Sequence, residues 1–301
     1  MTFRTIALEV ALTSGRRRVL DFLALSKPRL VLMILVTTYV GFYLGSEQVP
    51  DYLRLIQTLI GTALTAGGTL ALNELLERET DSLMERTRRR PLPEGRVQPL
   101  EALIFGLLST VTGLILLVWG VNVLSALVTA IIVGTYLFLY TPLKLRTPLC
   151  GVVGAVPGAL PPLIGWAAAR GELGVEAWVL FAILFFWQIP HTLAIARLYR
   201  DDFARAGIRF LPVVDPEGRS TGRQAVGFSL ALLGVSLLPM LLGLAGMFYF
   251  MVALLIGFAF LAVAFRLAVY RSAEAARRLL FTSIVYLPVL LLVMALNRTA
   301  L

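Results

Sequence analysis

The chain has 301 residues, 58% of them apolar and 15% charged, with a mean hydropathy of +0.84 and a formal net charge of +9. An ordinary soluble domain, apolar over about 45–50% of its residues, is excluded. The single cysteine, Cys150, excludes an intrachain disulfide and a multi-cysteine metal site.

In chain order, residues 1–25 read as an arm. Its apolar stretch TIALEVALT is short, contains Glu9 and precedes Arg16, Arg17 and Arg18, whereas a secretory signal places its positive charge first. A membrane-surface helix is expected instead, with the arginines at the headgroups and Leu20, Phe22 and Leu23 toward lipid. From residue 26 to 301 no long polar insertion interrupts the chain, so a single transmembrane domain is expected. A hydrocarbon core about 30 Å thick takes roughly 20 apolar residues per helix. Nine such runs occur, at 29–45, 56–75, 101–119, 122–140, 149–169, 176–198, 222–242, 246–268 and 278–296. The expected fold is all-α, a polytopic membrane bundle of nine transmembrane helices.

Basic residues orient that bundle. With the N-terminus cytoplasmic, 24 of the 27 lysines and arginines fall in the arm and in the loops after helices 2, 4, 6 and 8. Arg54, Arg170 and Arg298 fall on the other side. This is the positive-inside asymmetry, it puts the C-terminus outside, and it accounts for the net charge without nucleic acid.

The second run leads into NELLERETDSLMERTRRRPLP, residues 73–93. Charge packed where a helix leaves the bilayer is costly and marks a candidate site. Asn73, Glu77 and Asp81 recur every fourth residue and so share one helical face. Their oxygens are hard ligands of the kind a Mg²⁺ shared with a diphosphate requires. Arg86, Arg88, Arg89, Arg90 and Arg96 follow, and the guanidinium fork matches phosphate oxygens. A solvated helix end with internal ion pairs, such as Glu74 with Arg78, is the competing account of the flanking charges Glu74, Glu79, Glu85 and Arg88.

After helix 4, Lys144 and Arg146 in YTPLKLRTP put positive charge on the same side, for a phosphate or for topology alone. Helix 5 contains Pro157, Pro161 and Pro162, breaks that lipid tolerates where a cavity or neighbouring groups satisfy the freed backbone. The exit of helix 6 forms a second polar station, in which His191, Ile195, Leu198 and Asp202 fall on one face, flanked by Arg197 and Asp201. Helices 2 and 6 leave on the same side, so the two stations are expected to converge on one cavity. Aromatic residues nearby, among them Tyr136, Phe138, Tyr140, Trp166, Phe185, Phe186 and Trp187, suit either packing or stabilisation of a cation.

The Asn73–Glu77–Asp81 stripe resembles the NxxxDxxxD motif of the UbiA-type membrane prenyltransferases, whose nine helices surround a central cavity. SKPRLVLMILVTTYVGFYLG, MERTRRRPLP, YTPLKLRTP, GALPPLIGWAA, WQIPH and RDDFARAGIRFLPVV are similar to the protoheme-farnesylating branch of that superfamily, from residue 26 to about 214. Glu77 stands where that branch usually has aspartate, Thr192 where an aromatic is common, and Cys150 where asparagine is frequent. The resemblance implies transfer of a farnesyl group from farnesyl diphosphate to a vinyl group of heme b, giving heme O for heme–copper oxidase maturation. It implies Mg²⁺ as cofactor, with Asn73, Glu77 and Asp81, and Asp201 and Asp202 as a second set, on the Mg²⁺-diphosphate. Arg86, Arg90, Lys144 and Arg146 would hold phosphate, and His191 the heme, by iron or propionate. It further implies a bacterial inner-membrane location and, as partners, membrane lipid and a downstream heme A synthase or oxidase assembly protein. Three alternatives stay open: a relative acting on an aromatic quinone precursor, a secondary transporter, and a non-catalytic heme-binding assembly partner.

Overall fold

The computed structural model describes residues 17–46 and 50–299. Within them, nine helices have the length and apolar composition to cross a membrane. They are α1 (Pro28–Gly45), α2 (Tyr52–Leu76), α3 (Pro99–Gly120), α4 (Val123–Leu143), α5 (Cys150–Arg170), α6 (Val175–Leu198), α7 (Arg219–Leu241), α8 (Met247–Tyr270) and α9 (Ala273–Leu296). No strand occurs among the described residues, only an isolated bridge between Ala245 and Arg298. The expected all-α bundle of nine spans is what forms.

Consecutive helices pack side by side and α9 returns to α1, closing a ring. The pattern is the reverse of a soluble protein's. Large apolar side chains such as Leu107, Leu108, Val111 and Ile115 on α3 face outward, while Thr58, Thr62, Thr65 and Thr69 on α2 are buried. Lipid is as apolar as leucine, so helix contact rests on close packing and internal hydrogen bonds. Thr65 and Thr69 accordingly donate to the carbonyls four residues back, at 2.9 and 2.7 Å. Close approach follows from small residues. A Cβ at Gly68 of α2 would stand 2.5 Å from the Gly106 carbonyl oxygen of α3, and one at Gly165 of α5 would run into the Thr38 carbonyl of α1.

Helix α5 is the most buried span. Its prolines divide it at Leu160 into Cys150–Ala159 and Pro161–Arg170. Around it, Leu163, Ile164 and Trp166 form one core with Leu180 and Ile183 of α6 and with Tyr249 and Phe260 of α8.

Of the arm, residues 1–16, with Glu9 and Arg16, lie outside the described residues; residues 17–25 are helical. Leu20 and Leu23 are exposed as expected. Phe22 is not. It packs on Phe105 of α3, centroids 5.3 Å apart, beside a small core of Leu25, Ala71, Leu92, Val97 and Ala102. The arm lies against the bundle because its inner face meets α3, and Arg18 with Glu101 and Arg96 with Asp21 fasten it there.

Candidate active site

The stripe of Asn73, Glu77 and Asp81 does not lie on one unbroken helix. α2 ends at Leu76, Glu77 adopts φ −98° and ψ 6°, and a separate short helix covers Arg78–Ser82. The four-residue spacing survives the break, since the Glu77 amide donates to Asn73 O at 3.0 Å and the Asp81 amide to Glu77 O at 2.8 Å.

Asn73, almost fully buried, is held from several helices. Its Nδ2 donates to Thr141 Oγ1 at 3.0 Å, while Oδ1 accepts from Lys27 Nζ and from the Tyr136 hydroxyl, each at 3.4 Å. These partners exist because α4 is not α-helical throughout: Thr135–Tyr140 forms a π-helical segment. Its wider turn brings Tyr136 and Thr141 to the same amide, and Thr141 Oγ1 donates back to the Tyr136 carbonyl at 2.8 Å. Such π segments recur at functional sites.

Lys27 has a left-handed backbone, φ 48° and ψ 65°, immediately before Pro28. A non-glycine residue held in this region is strained by about 1–3 kcal/mol and persists where its surroundings fix it. Burial, with Arg90 beside it, pulls the ammonium down to about 8. In the sequence Lys27 is signalled only as a cation between the arm and the first proline of a membrane helix.

Each remaining acid of the stripe holds a cation. Glu77 accepts from Lys144 Nζ at 2.6 Å, and Asp81, buried, accepts from Arg90 at 2.6 Å. Burial works against the Lys144 charge, but Glu77 outweighs it and raises the group above its ordinary 10.5. The ammonium also lies 4.4 Å from the Tyr140 ring centroid. Thr87 Oγ1 donates to the Asp81 carbonyl at 2.8 Å and ties the basic loop to the short helix. Glu74, also buried, makes no ion pair with Arg78, which leans on Glu79 at 3.8 Å. One oxygen of the Glu74 carboxylate has no hydrogen-bond partner.

The second station meets the first through arginine. Arg86 lies 5.4 Å from the Tyr199 ring centroid and 5.8 Å from that of Phe203, so the basic loop is seated on the helix that follows α6. Met84 joins Phe203, Phe210 and Cys150 in one small core. Asp201 is exposed and Asp202 pairs with Arg205, three residues on. Arg146 is exposed too, although its carbonyl accepts from Arg209 at 3.4 Å and the Lys144 carbonyl from the Arg209 amide at 2.7 Å. His191 faces α9, with Nδ1 2.7 Å from Ser283 Oγ. Among the described residues no three His, Cys, Asp or Glu side chains are grouped to hold a metal by themselves.

What these residues assemble is a patch of three buried or half-buried cations, Lys27, Lys144 and Arg90, interleaved with an amide and acids at one end of a ring of helices. The UbiA prenyltransferase family model matches residues 34–285. The chain belongs to that family. It is a membrane prenyltransferase, similar to curated proteins named protoheme IX farnesyltransferase. A protoheme IX farnesyltransferase of Solibacter usitatus (strain Ellin6076) is 49% identical over 290 residues, 93% of this chain and 99% of the relative. One of Aquifex aeolicus (strain VF5) is 38% identical over 278 residues, 92% and 94% of the two chains. Among solved structures, digeranylgeranylglyceryl phosphate synthase superposes with a TM-score of 0.80 at 17% identity, covering 93% of this chain and 98% of that one. A UbiA homolog from Archaeoglobus fulgidus bound to GPP and Mg²⁺ gives 0.66 at 17% identity, over 91% and 99%. At these identities the solved structures speak for the fold.

Proposed function

We propose that the chain transfers the farnesyl group of farnesyl diphosphate to a vinyl group of protoheme IX, making heme O. The observation that carries this reading is the cation patch around Asn73 in a chain 49% identical to a protoheme IX farnesyltransferase. Lys27, Arg90 and Lys144, with Arg86 on the adjoining loop and Arg146 at its edge, receive the diphosphate. Cations aimed at the oxygens that gain charge as the carbon–oxygen bond breaks lower the barrier to its departure. Tyr136 and Tyr140 line the same place, and ring faces there shield an allylic cation from water. The vinyl group supplies the electron pair to the farnesyl carbon, and water completes the hydroxyethyl group.

The residues fit Mg²⁺. Asn73, Glu77 and Asp81 offer hard oxygens, and Glu74 keeps one buried oxygen unpartnered. Magnesium is ordinarily held by one or two carboxylates together with substrate phosphates, which suits a set that does not enclose a metal alone. When bound, it neutralises charge on the leaving diphosphate. Glu77 and Asp81, now paired with Lys144 and Arg90, would hold the metal once those cations turn to phosphate, and Asp202 and Asp201 would form a second, outer set.

His191 takes the heme side. We place the protein in a bacterial inner membrane with a cytoplasmic N-terminus and an external C-terminus, in membrane lipid, handing its product to a heme A synthase or to oxidase assembly proteins. Purified protein in detergent, given heme b, farnesyl diphosphate and Mg²⁺, is expected to yield heme O by mass. Prenylation of an aromatic quinone precursor with no heme product would overturn the assignment.

A further inference from the structure

His191 lies on α6 about two turns, roughly 10 Å, in from the helix end at Leu198. Its Nδ1 is 2.7 Å from Ser283 Oγ on α9, and its ring stacks on Trp187 with centroids 4.8 Å apart and planes 20° apart. Ser283 has one hydroxyl hydrogen. The Leu280 carbonyl oxygen, 2.6 Å from Oγ, can only accept, so that hydrogen is already committed. In the His191–Ser283 bond the ring nitrogen therefore donates and the hydroxyl accepts. In the neutral ring, which no neighbouring carboxylate holds protonated, the proton sits on Nδ1 and Nε2 keeps its lone pair.

The same serine engages the stacked partner. Trp187 Nε1 donates to the Ser283 carbonyl at 2.8 Å, so the two rings are referenced to one residue of α9. Ring plane and tautomer are thus set together. Among the described residues no other hydrogen bond reaches the His191 ring and no carboxylate pairs with it.

We propose that Ser283 is a positioning residue that fixes His191 as the Nδ1–H tautomer and presents Nε2 to the iron of the heme substrate. The inference rests on the reading that heme approaches His191, and it decides between the two ways of doing so. A propionate and Nε2 of a neutral ring both offer only lone pairs and cannot bond to each other. Iron accepts a lone pair. Metal-bound histidines ordinarily donate their other N–H to a fixed acceptor, which sets the ring's orientation and raises its basicity as a ligand. An axial bond at Nε2 would fix the porphyrin's height and tilt and leave rotation about the iron–nitrogen axis to choose which vinyl group meets the farnesyl chain.

The test is heme titration of the full-length protein in detergent, followed by absorbance and, for the ferrous form, by the iron–histidine stretch in resonance Raman spectra. Wild type is expected to show a histidine-ligated heme. His191→Ala loses that signature, and His191→Gly regains it with added imidazole. Ser283→Ala is expected to lower the iron–histidine frequency and weaken heme binding by about 10-fold or more, the usual scale for losing such an outer partner; Ser283→Thr restores both. Farnesyl diphosphate binding in Mg²⁺ stays unchanged throughout. A wild-type spectrum and frequency in Ser283→Ala would overturn the positioning role while leaving His191 on the iron. A wild-type spectrum in His191→Ala would overturn the underlying reading instead. Should Ser283→Ala not accumulate in membranes, Ser283→Cys, a weaker acceptor, gives the same comparison.

Discussion

Arg90 reaches back to Asp81 and donates to it at 2.6 Å, with the Asp81 side chain only 2% exposed. A cation suited to phosphate and an acid suited to metal thus satisfy each other, and the proposed function has substrate separate them. Asp81→Asn keeps the shape and removes the charge. Heme O formation, read by mass at saturating Mg²⁺, is expected to fall by about 10²-fold or more, the scale for losing one charge-stabilising group in a water-excluded site. Near-normal turnover would return Asp81 to a purely structural partnership with Arg90.

Lys144 and Glu77 form a second such pair. Breaking a buried pair from one side strands a charge and costs about 3–5 kcal/mol, whereas removing both charges costs less. Lys144→Met is therefore expected to unfold at a lower temperature than Glu77→Gln/Lys144→Met in thermal melts in detergent. The Lys144 pKa is raised, so the pair's contribution is complete below the ordinary 10.5 and is lost only as pH climbs through the higher folded value. The wild-type advantage over Lys144→Met should accordingly stay flat between about pH 6 and pH 9. A double variant no more stable than the single one would show that the pair is not buried enough to matter.

Arg86 is seated on two rings rather than on an acid. A cation over an aromatic face is worth about 0.5–2 kcal/mol. Tyr199→Leu is expected to loosen the basic loop and weaken farnesyl diphosphate binding several-fold by calorimetry, with heme affinity unchanged. Equal losses for both substrates would mean that Tyr199 supports the whole bundle instead.

Gly165 is required by contact rather than by backbone angle, because α1 passes directly over it. Gly165→Val is expected to cost about 1–3 kcal/mol or more and to reduce accumulation in the membrane. Gly151→Ala, with nothing within 4 Å of the added carbon, is the matched control. Equal accumulation of the two variants would place α1 farther from α5 than the structure does.

The nine helices were legible because bilayer thickness dictates the length of each apolar run, and the stripe because i, i+4 hydrogen bonds preserve its spacing even across the break at Glu77. Lys144 was legible as a cation on the correct side. The partners were not. Tyr136 and Thr141 reach Asn73 through a π-helical widening that hydropathy does not encode, and Lys27 reaches it through a backbone conformation that lysine seldom takes. Ser283 stands far from His191 in sequence, so only the packing of α6 on α9 could bring it there. Phe22 was misplaced because a nine-residue helix with apolar side chains on several sides does not reveal which face meets α3. Asp202 sits at helical spacing from His191 as read, yet its nearest cation is on its own short helix.

Arg298, beyond the end of α9, donates to the Tyr43 carbonyl at 2.7 Å and to that of Ser46, and Arg170 donates to the Gly45 carbonyl at 2.9 Å. Between them they occupy acceptors left open where α1 ends. The C-terminal end of α1 is therefore completed by a residue that follows α9, more than 250 positions along the chain. Synthesis can be well past the Asn73–Glu77–Asp81 stripe while the ring is still open. A chain ending within α9 would carry the whole Asn73–Glu77–Asp81 stripe and its basic loop and still leave the Tyr43 and Ser46 carbonyls of α1 without Arg298.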